Sequence, residues 1–176
     1  MTLEELYEQA RDGTSAVAGH CWFLRNLASQ VDEVVEFGTG DLVSATAILA
    51  GQPKRFTTYD VKAADRVPAL AELSGATEFR AIVQSSLEVE PVACDLLFID
   101  TCHTGRQLYA ELTRHGDGVR QWIAMHDTEA FAMWDEWFRE PGLWPAIWRW
   151  QRDHGEWRTA YVTRDSCGLT LLERIR

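Results

Sequence analysis

The sequence has little of what marks several large classes of protein. Lys and Arg number 17 against 27 Asp and Glu, which leaves a formal net charge of −10. A chain this acidic repels phosphate backbones, and no Lys/Arg cluster offsets the repulsion, so we expect no nucleic-acid partner. No apolar run reaches the ~20 residues that a membrane span needs. The segment 1–13 lacks the basic-then-apolar order of a secretory signal, and we expect a cytoplasmic protein with no membrane partner.

Cysteine is scarce as well, and its spacing excludes further classes. The four cysteines include no pair at CxxC spacing, so neither a zinc knuckle nor a thioredoxin-type motif is supported. Cys94 opens an apolar run and is expected to be buried as a small hydrophobe. The sequence also lacks internal repeats and Pro/Ser linkers. Its 176 residues therefore predict a single domain with reduced thiols.

What the sequence does contain is an alternation of apolar runs and helical patterns. Five β-branched or apolar runs, each ending in polar or glycine residues, predict strands at 33–38, 55–60, 79–84, 94–100 and 121–127. Helical patterns lie between them near 43–51, 63–74 and 105–115. This alternation predicts an α/β protein whose parallel sheet carries helices on both faces.

The two ends of the chain follow other patterns. Residues 14–28 predict a loop and a helix ahead of the first strand. A helical pattern runs from about 130 to 153, interrupted at Pro141-Gly142. Residues 157–165 and 167–175 then predict an antiparallel hairpin. We expect a Rossmann-like, doubly wound sheet of seven strands, mostly parallel, whereas a dehydrogenase domain would continue with another βαβ unit.

A glycine turn follows the first predicted strand, in the stretch VVEFGTGDLVSATAILAG. Gly38 and Gly40 lack Cβ, so the backbone can turn tightly and approach a ligand. The helix N-terminus behind them favours an anionic group such as a carboxylate. Polar side chains at this opening belong to Thr39, Asp41 and Ser44. A dinucleotide fingerprint would need a third glycine at position 43, which is valine.

The pattern E-x-G-x-G, together with the predicted hairpin ending, resembles class I S-adenosylmethionine (SAM)-dependent methyltransferases. The resemblance covers the chain from about residue 14 to the end. It implies that Glu36 lies near the amino end of bound SAM and that the backbone of Gly38 and Gly40 runs along the cofactor. It also implies that Asp60, which ends the second strand, accepts hydrogen bonds from the ribose hydroxyls. An acid at position 60 would suit the ribose of NAD equally well.

A second group of polar residues follows the fourth and fifth strands, in FIDTCHT and MHDT. Asp100, His103, His126 and Asp127 are expected to meet beside the cofactor crevice. Asp100, His126 and Asp127 are candidate ligands of a divalent cation, with carboxylates suiting Mg²⁺ and an imidazole favouring Mn²⁺, Zn²⁺ or Fe²⁺. Alternatively, His103 or His126 is a general base, since the pKa of histidine lies near neutral pH.

The pattern FIDxxHxxxxLxxEL…HDT resembles a group of small-molecule methyltransferases, including macrocin O-methyltransferase and cephalosporin-hydroxylase-like proteins. The resemblance implies methyl transfer to a hydroxyl oxygen in glycan or natural-product biosynthesis. It places Asp100 where metal-dependent members carry an acid, and also beside the cofactor. His126 stands where those members carry a carboxylate, and Gly105 stands where similar sequences carry tyrosine.

The segment WDEWFREPGLWPAIWRW (134–150) holds five of the eight tryptophans. Trp134, Trp137 and Phe138 would share one helical face, and Trp144 and Trp148 another. These faces are typical of core, of a substrate lid or of a homodimer contact. Two rivals to a methyltransferase stay open: a nicotinamide-dependent oxidoreductase, and a non-catalytic module that binds a partner through its tryptophans. His20 is a further candidate for a substrate contact.

Overall fold

A computed structural model describes residues 1–137 and 139–175. The helices are Leu3–Arg11 (α1), Cys21–Ala28 (α2), Val43–Ala50 (α3), Val67–Glu72 (α4), Gly105–His115 (α5) and Leu143–Asp153 (α6). The strands are Glu33–Phe37 (β1), Arg55–Asp60 (β2), Glu78–Val83 (β3), Cys94–Ile99 (β4), Val119–His126 (β5), Trp157–Thr163 (β6) and Leu169–Arg174 (β7). Short 3₁₀ turns occupy Ala16–His20 and Gly116–Gly118.

One seven-stranded sheet runs in the order β3-β2-β1-β4-β5-β7-β6. The strands β1 to β5 pair in parallel, and β7 pairs antiparallel with both β5 and β6. The predicted fold, including the hairpin ending, is therefore confirmed. The strand order reverses between β1 and β4, and ligands of open α/β sheets bind at the carboxyl ends of the strands at such a point.

Helices cover both faces of the sheet because the central strands are apolar on both sides. All six residues of β4 are buried, Cys94 among them as predicted. Buried residues of α1, α2 and α3 pack on one face, and those of α5 and α6 pack on the other. Packing on both faces of the sheet thus holds the carboxyl ends of β1 and β4 in place. Among the described residues, none of the helices combines the length and apolarity that crossing a bilayer requires.

The prediction of helix from about residue 130 is wrong for its first half. Residues 129–137 and 139–142 form turns and bends, closed by an isolated bridge between Trp134 and Pro141. The buried carboxylate of Asp135 accepts a hydrogen bond from the backbone N–H of Arg139 at 2.7 Å, and such local bonds compete with helix. Phe138, predicted to share a face with two tryptophans, lies outside the described residues. We call residues 129–137 and 139–142 the turn segment.

Candidate active site

The two glycines after β1 have different surroundings. At Gly38 (φ +94°) a Cβ would lie 1.9 Å from the carbonyl oxygen of Asp100, so only glycine lets the β1 and β4 ends approach this closely. At Gly40 (φ +46°) a Cβ would meet open space. The N–H of Gly40 donates to Oδ2 of Asp60 at 3.0 Å, and the N–H of Lys62 donates to the other oxygen of that carboxylate at 2.9 Å. The turn therefore packs tightly against the end of β4 at Gly38 and leaves open space at Gly40.

Glu36 lies behind this turn and is completely buried. Neither of its carboxylate oxygens has a hydrogen-bond partner among the described residues. Burial raises the pKa of Glu36 to about 8, although the nearby hydroxyls of Ser44 and Thr58 oppose the shift. The hydroxyl of Thr39 shares a 2.6 Å hydrogen bond with that of Thr58. Because buried polar groups are normally satisfied, an unpartnered carboxylate marks a place for a cationic group.

A cavity of about 350 Å³ opens beside the turn, which is within the range of small-ligand sites. It lies between the ends of β1, β2, β3 and β4 and the first turn of α5, and its lining includes Gly38, Asp60, Gln84, Ser86, Asp100 and Gln107. Of the predicted cofactor residues, Gly38, Asp60 and Asp100 thus face one cavity. The remaining four, Glu36, Thr39, Gly40 and Ser44, lie in or behind the turn and do not line it.

Asp100 also belongs to the second predicted group. His103 Nε2 lies 2.7 Å from Oδ2 of Asp127 and 3.9 Å from Oδ1 of Asp100. His103 Nδ1 lies 3.7 Å from Oε2 of Glu136, and the imidazole stacks on Phe131 with centroids 4.4 Å apart. Carboxylates therefore face both ring nitrogens of His103.

His126 contacts the same two carboxylates. Its Nδ1 is 3.5 Å from Oδ1 of Asp100 and 3.4 Å from Oδ1 of Asp127. The side chain is 1% exposed, and neither ring nitrogen has a hydrogen-bond partner among the described residues. His20 meets the His126 ring edge-on at 5.2 Å and contacts the carbonyl oxygen of Ser166 through Nε2 at 3.2 Å.

The four predicted residues thus come together, and their charges are strongly coupled. Burial alone would lower the pKa of each imidazole, but Asp100 and Asp127 outweigh it and raise the pKa of His103 to about 10 and of His126 to about 9. Burial works against the two carboxylates, yet the imidazoles hold both their pKa values below the ordinary range. Burial and the charge of His126 lower the pKa of His20. Asp100 and Asp127 thus favour the charged form of both imidazoles.

The same cluster offers ligands for a cation. One ligand atom each from Asp100, His103 and Asp127 lies within 4.8 Å of the others, so this donor set fits a divalent ion with mixed oxygen and nitrogen preference. The sequence predicted His126 as the nitrogen ligand, whereas the structure offers His103 in that set. Glu136 and Phe131 were missed because the turn segment was expected to be helical.

Gly105 is explained by the turn segment. A Cβ at this position would lie 2.4 Å from the carbonyl oxygen of Gly142 and 2.6 Å from that of Pro141, and the Gly105 N–H donates to Pro141 at 3.0 Å. Backbone thus occupies the space next to position 105, which leaves no room for a side chain there.

Comparisons with known proteins agree with this geometry at the level of the fold. No family model matches the sequence, and no curated protein matches it. Solved structures do match over nearly the whole chain.

One is 1,6-didemethyltoxoflavin-N1-methyltransferase of Burkholderia thailandensis with bound 1,6-didemethyltoxoflavin and S-adenosylhomocysteine (TM-score 0.69, 15% identity, 98% of this chain and 85% of that one). A second is the O-methyltransferase TomG of Streptomyces achromogenes, involved in tomaymycin synthesis and solved with SAM (TM-score 0.66, 17% identity, 99% and 89%). A third is the N-methyltransferase NodS of Bradyrhizobium japonicum WM9 with S-adenosylhomocysteine (TM-score 0.67, 11% identity, 100% of both chains). The chain therefore has the fold of class I SAM-dependent methyltransferases.

Proposed function

We propose that the protein is a SAM-dependent methyltransferase that acts on a small-molecule acceptor, at a hydroxyl oxygen. One observation carries the proposal: Asp100 lines the cavity beside the glycine turn and also contacts both imidazoles of the histidine–aspartate cluster. A methyl donor in the cavity and an acceptor at the cluster would therefore meet at one residue. Bringing donor and acceptor together in line is most of what methyl transfer asks of a protein.

The residues around the turn fit the donor. Bound SAM supplies an electrophilic methyl group on a sulfonium. Glu36 would pair with its ammonium group, which accounts for a buried carboxylate without a partner. Asp60 would accept from the ribose hydroxyls, and two backbone N–H groups already fix its orientation. Thr39, Gly40 and Ser44 complete the amino-acid end, and the turn leaves the space above Gly40 free.

The cluster would orient the acceptor and stabilise negative charge on its oxygen, while the hydroxyl proton passes to solvent water. A histidine base needs a neutral imidazole, but the two carboxylates hold the pKa of His103 near 10 and of His126 near 9. At neutral pH these imidazolium groups orient an acceptor oxygen and stabilise negative charge on it. We propose further that a divalent cation, Mg²⁺ or Mn²⁺, replaces the His103 proton, held by Asp100, His103 and Asp127. Such an ion acts as a Lewis acid toward a bound hydroxyl.

The surroundings of the cluster support an aromatic or sugar acceptor. Trp134 and Trp137 of the turn segment are more than half exposed, and aromatic faces stack on flat or sugar-like molecules. We propose a natural-product or glycan hydroxyl as the acceptor, in a single-domain cytoplasmic enzyme. The involvement of TomG in tomaymycin synthesis is compatible with that class.

Isothermal titration calorimetry tests the proposal directly. SAM and S-adenosylhomocysteine are titrated into metal-stripped protein, and the titrations are repeated with Mg²⁺ and with Mn²⁺. We expect both ligands to bind, and we expect Mn²⁺ alone to bind wild type but not Asp127→Asn. NAD serves as the competing cofactor, because it shares the ribose. Binding of NAD with silence toward both sulfur ligands would overturn the methyltransferase and favour an oxidoreductase, and silence toward all three would favour a binding module.

A further inference from the structure

A buried polar network lies directly under the cofactor cavity. Its centre is Glu111 of α5, which is completely buried and is not among the residues that line the cavity. Ser86 donates to its Oε1 at 2.6 Å, and Thr101 donates to both oxygens at 2.9 and 3.0 Å. Gln107 donates from Nε2 to the same Oε1 at 2.9 Å. Glu111 thus ties together the loops after β3 and β4, which form two walls of the cavity.

Gln107 has an unusual place in this network. It stands three residues after Thr104, the N-cap of α5, whose hydroxyl accepts from the Gln107 N–H at 3.1 Å. In a capping box the glutamine side chain would return to the N-cap backbone N–H. Here that N–H donates to the carbonyl of Cys102 instead. The Gln107 side chain is directed to Glu111 and, at 3.3 Å, to Ser86.

The network fixes which end of the amide faces the ligand. A carboxylate only accepts hydrogen bonds, so the amide of Gln107 must present its nitrogen to Glu111. Its carbonyl oxygen takes no part in these bonds, and Gln107 is one of the residues that line the cavity. The cavity wall at the first turn of α5 therefore carries an oriented amide whose carbonyl oxygen can accept from a ligand.

We propose that Gln107 recognises the exocyclic amino group of the cofactor's adenine, and that Glu111 is a positioning residue that fixes the orientation of the Gln107 amide. The inference rests on the proposed function, because SAM supplies the adenine. If Glu36 and the glycine turn hold the amino-acid end and Asp60 holds the ribose, the base must occupy the part of the cavity lined by Gln84, Ser86 and Gln107. An amino group there donates to the fixed carbonyl oxygen.

A second glutamine at the same cavity provides a matched control. Gln84 donates from Nε2 to the carbonyl oxygen of Glu88 at 3.1 Å, and this contact is exposed. The Gln84 amide is therefore held by one exposed hydrogen bond. The Gln107 amide is held by two hydrogen bonds, to the buried residues Ser86 and Glu111. We expect the less constrained Gln84 to contribute little to recognition of the base.

The experiment compares S-adenosylhomocysteine with its deaminated analogue, S-inosylhomocysteine, in which a carbonyl oxygen replaces the amino group. Calorimetry gives both dissociation constants for each protein, and their ratio cancels any loss of folded protein. We expect wild type to prefer the adenine form by about tenfold or more, because the analogue sets two acceptor oxygens against each other. Gln107→Met, which keeps the length but removes the amide, should reduce that preference to within about threefold, while Gln84→Met should keep it.

Glu111 has its own pair of variants. Glu111→Leu removes the anchor and should reduce the preference as Gln107→Met does. Glu111→Gln keeps a carbonyl acceptor for the Gln107 amide and should restore most of it. A role of Glu111 in stability alone would change the melting temperature of both variants and leave the ratio of the two dissociation constants unchanged, which would overturn the positioning role.

The remaining outcomes separate this inference from the proposed function. Wild type that binds the adenine form and its analogue equally would overturn the recognition by Gln107 and leave the methyltransferase standing. A preference that survives in Gln107→Met but is lost in Gln84→Met would assign recognition to the other glutamine. Wild type that binds neither ligand would overturn both proposals.

Discussion

His103 and Asp127 form an ion pair, with 2.7 Å between Nε2 and Oδ2, that joins the loop after β4 to the end of β5. Asp127 adopts a left-handed backbone conformation (φ +59°), which is uncommon for residues other than glycine. Non-glycine residues in this conformation are strained and concentrate at functional sites. The strained backbone carries the carboxylate that holds His103 in its charged form, so the pair links local strain to the electrostatics of the site.

Substituting Asp127→Asn should lower the pKa of His103. Asparagine nearly matches aspartate in shape and tolerates the left-handed conformation, so the change removes charge and little else. We expect the His103 pKa to fall from about 10 by roughly 1 to 3 units, as is typical for loss of a close opposite charge. NMR titration of the imidazole protons measures it. The control is Asp153→Asn, which removes an exposed acid paired with Arg152. An unchanged His103 pKa in Asp127→Asn would show that Asp100 alone is sufficient to raise the His103 pKa.

The raised pKa of His126 predicts a loss of stability in alkali. The folded state holds the His126 proton up to a pKa of about 9, whereas the unfolded chain releases it near the ordinary value of about 6.5. This contribution to the free energy of unfolding is complete below the unfolded pKa and disappears as the pH rises through the folded pKa. We expect the stability of wild type to decline more steeply than that of His126→Asn between pH 7 and 9.5, measured by urea unfolding.

The comparison of slopes separates His126 from two other buried groups whose pKa values are raised. Burial raises the pKa of Cys21 to about 11 and that of Glu36 to about 8, so both also favour the folded state at lower pH. These contributions are common to wild type and variant. Equal slopes would mean that His126 is neutral in the folded protein, and would return it to the role of a base.

The sequence was sufficient to predict those elements whose structure is set by neighbouring residues in the chain. The run of β4, apolar apart from Asp95, and the glycines at 38 and 40 mark a buried strand and a strand-to-helix turn whatever surrounds them. From those elements the parallel order and the meeting of Asp100 with Asp127 could be predicted. The substrate and the metal are not fixed by such local patterns, because fold does not determine function.

The turn segment could not be predicted in this way because its structure depends on distant contacts. Its aromatic spacing suits a helix, but the Asp135 carboxylate closes a local turn and Pro141 binds the N–H of Gly105 on α5. Glu136 reaches His103 only because of that folding-back. That the candidate cation set contains His103 rather than His126 likewise depends on side-chain geometry that spacing in the sequence does not encode.

The two glycines of the turn should respond differently to alanine. At Gly38 the added methyl would collide with the backbone of Asp100, so we expect Gly38→Ala to destabilise the junction of β1 and β4 and to lower the melting temperature markedly. At Gly40 the methyl meets open space, and the left-handed conformation costs only about 1–2 kcal/mol.

Gly40→Ala should therefore fold, yet bind S-adenosylhomocysteine at least about tenfold more weakly, since a loss of 1.4 kcal/mol already gives that factor. The methyl would occupy space that the cofactor needs. Thermal unfolding and calorimetry on both variants measure the two effects. Full affinity in Gly40→Ala would place the cofactor away from the turn.

The unpartnered carboxylate of Glu36 predicts that cofactor binding is linked to proton release. The pKa of Glu36 is about 8, so below that pH its carboxyl group is mainly protonated in the free protein. An ammonium group bound beside it favours the ionised form. Affinity for S-adenosylhomocysteine should therefore rise with pH from about 6 to 7.5, by at most about tenfold per pH unit for one proton. Calorimetry in buffers of different ionisation enthalpy should show the released proton.

Glu36→Gln removes the titrating group while keeping the shape of the side chain, so it should bind more weakly and show no rise in affinity over that range. Asp41→Asn, which changes an exposed acid at the same turn, should keep the wild-type pH dependence. A proton release that persists in Glu36→Gln would assign the linkage to another group. Binding without any proton release in wild type would mean that the ammonium group does not reach Glu36, and the orientation of the cofactor along the glycine turn would have to be reversed.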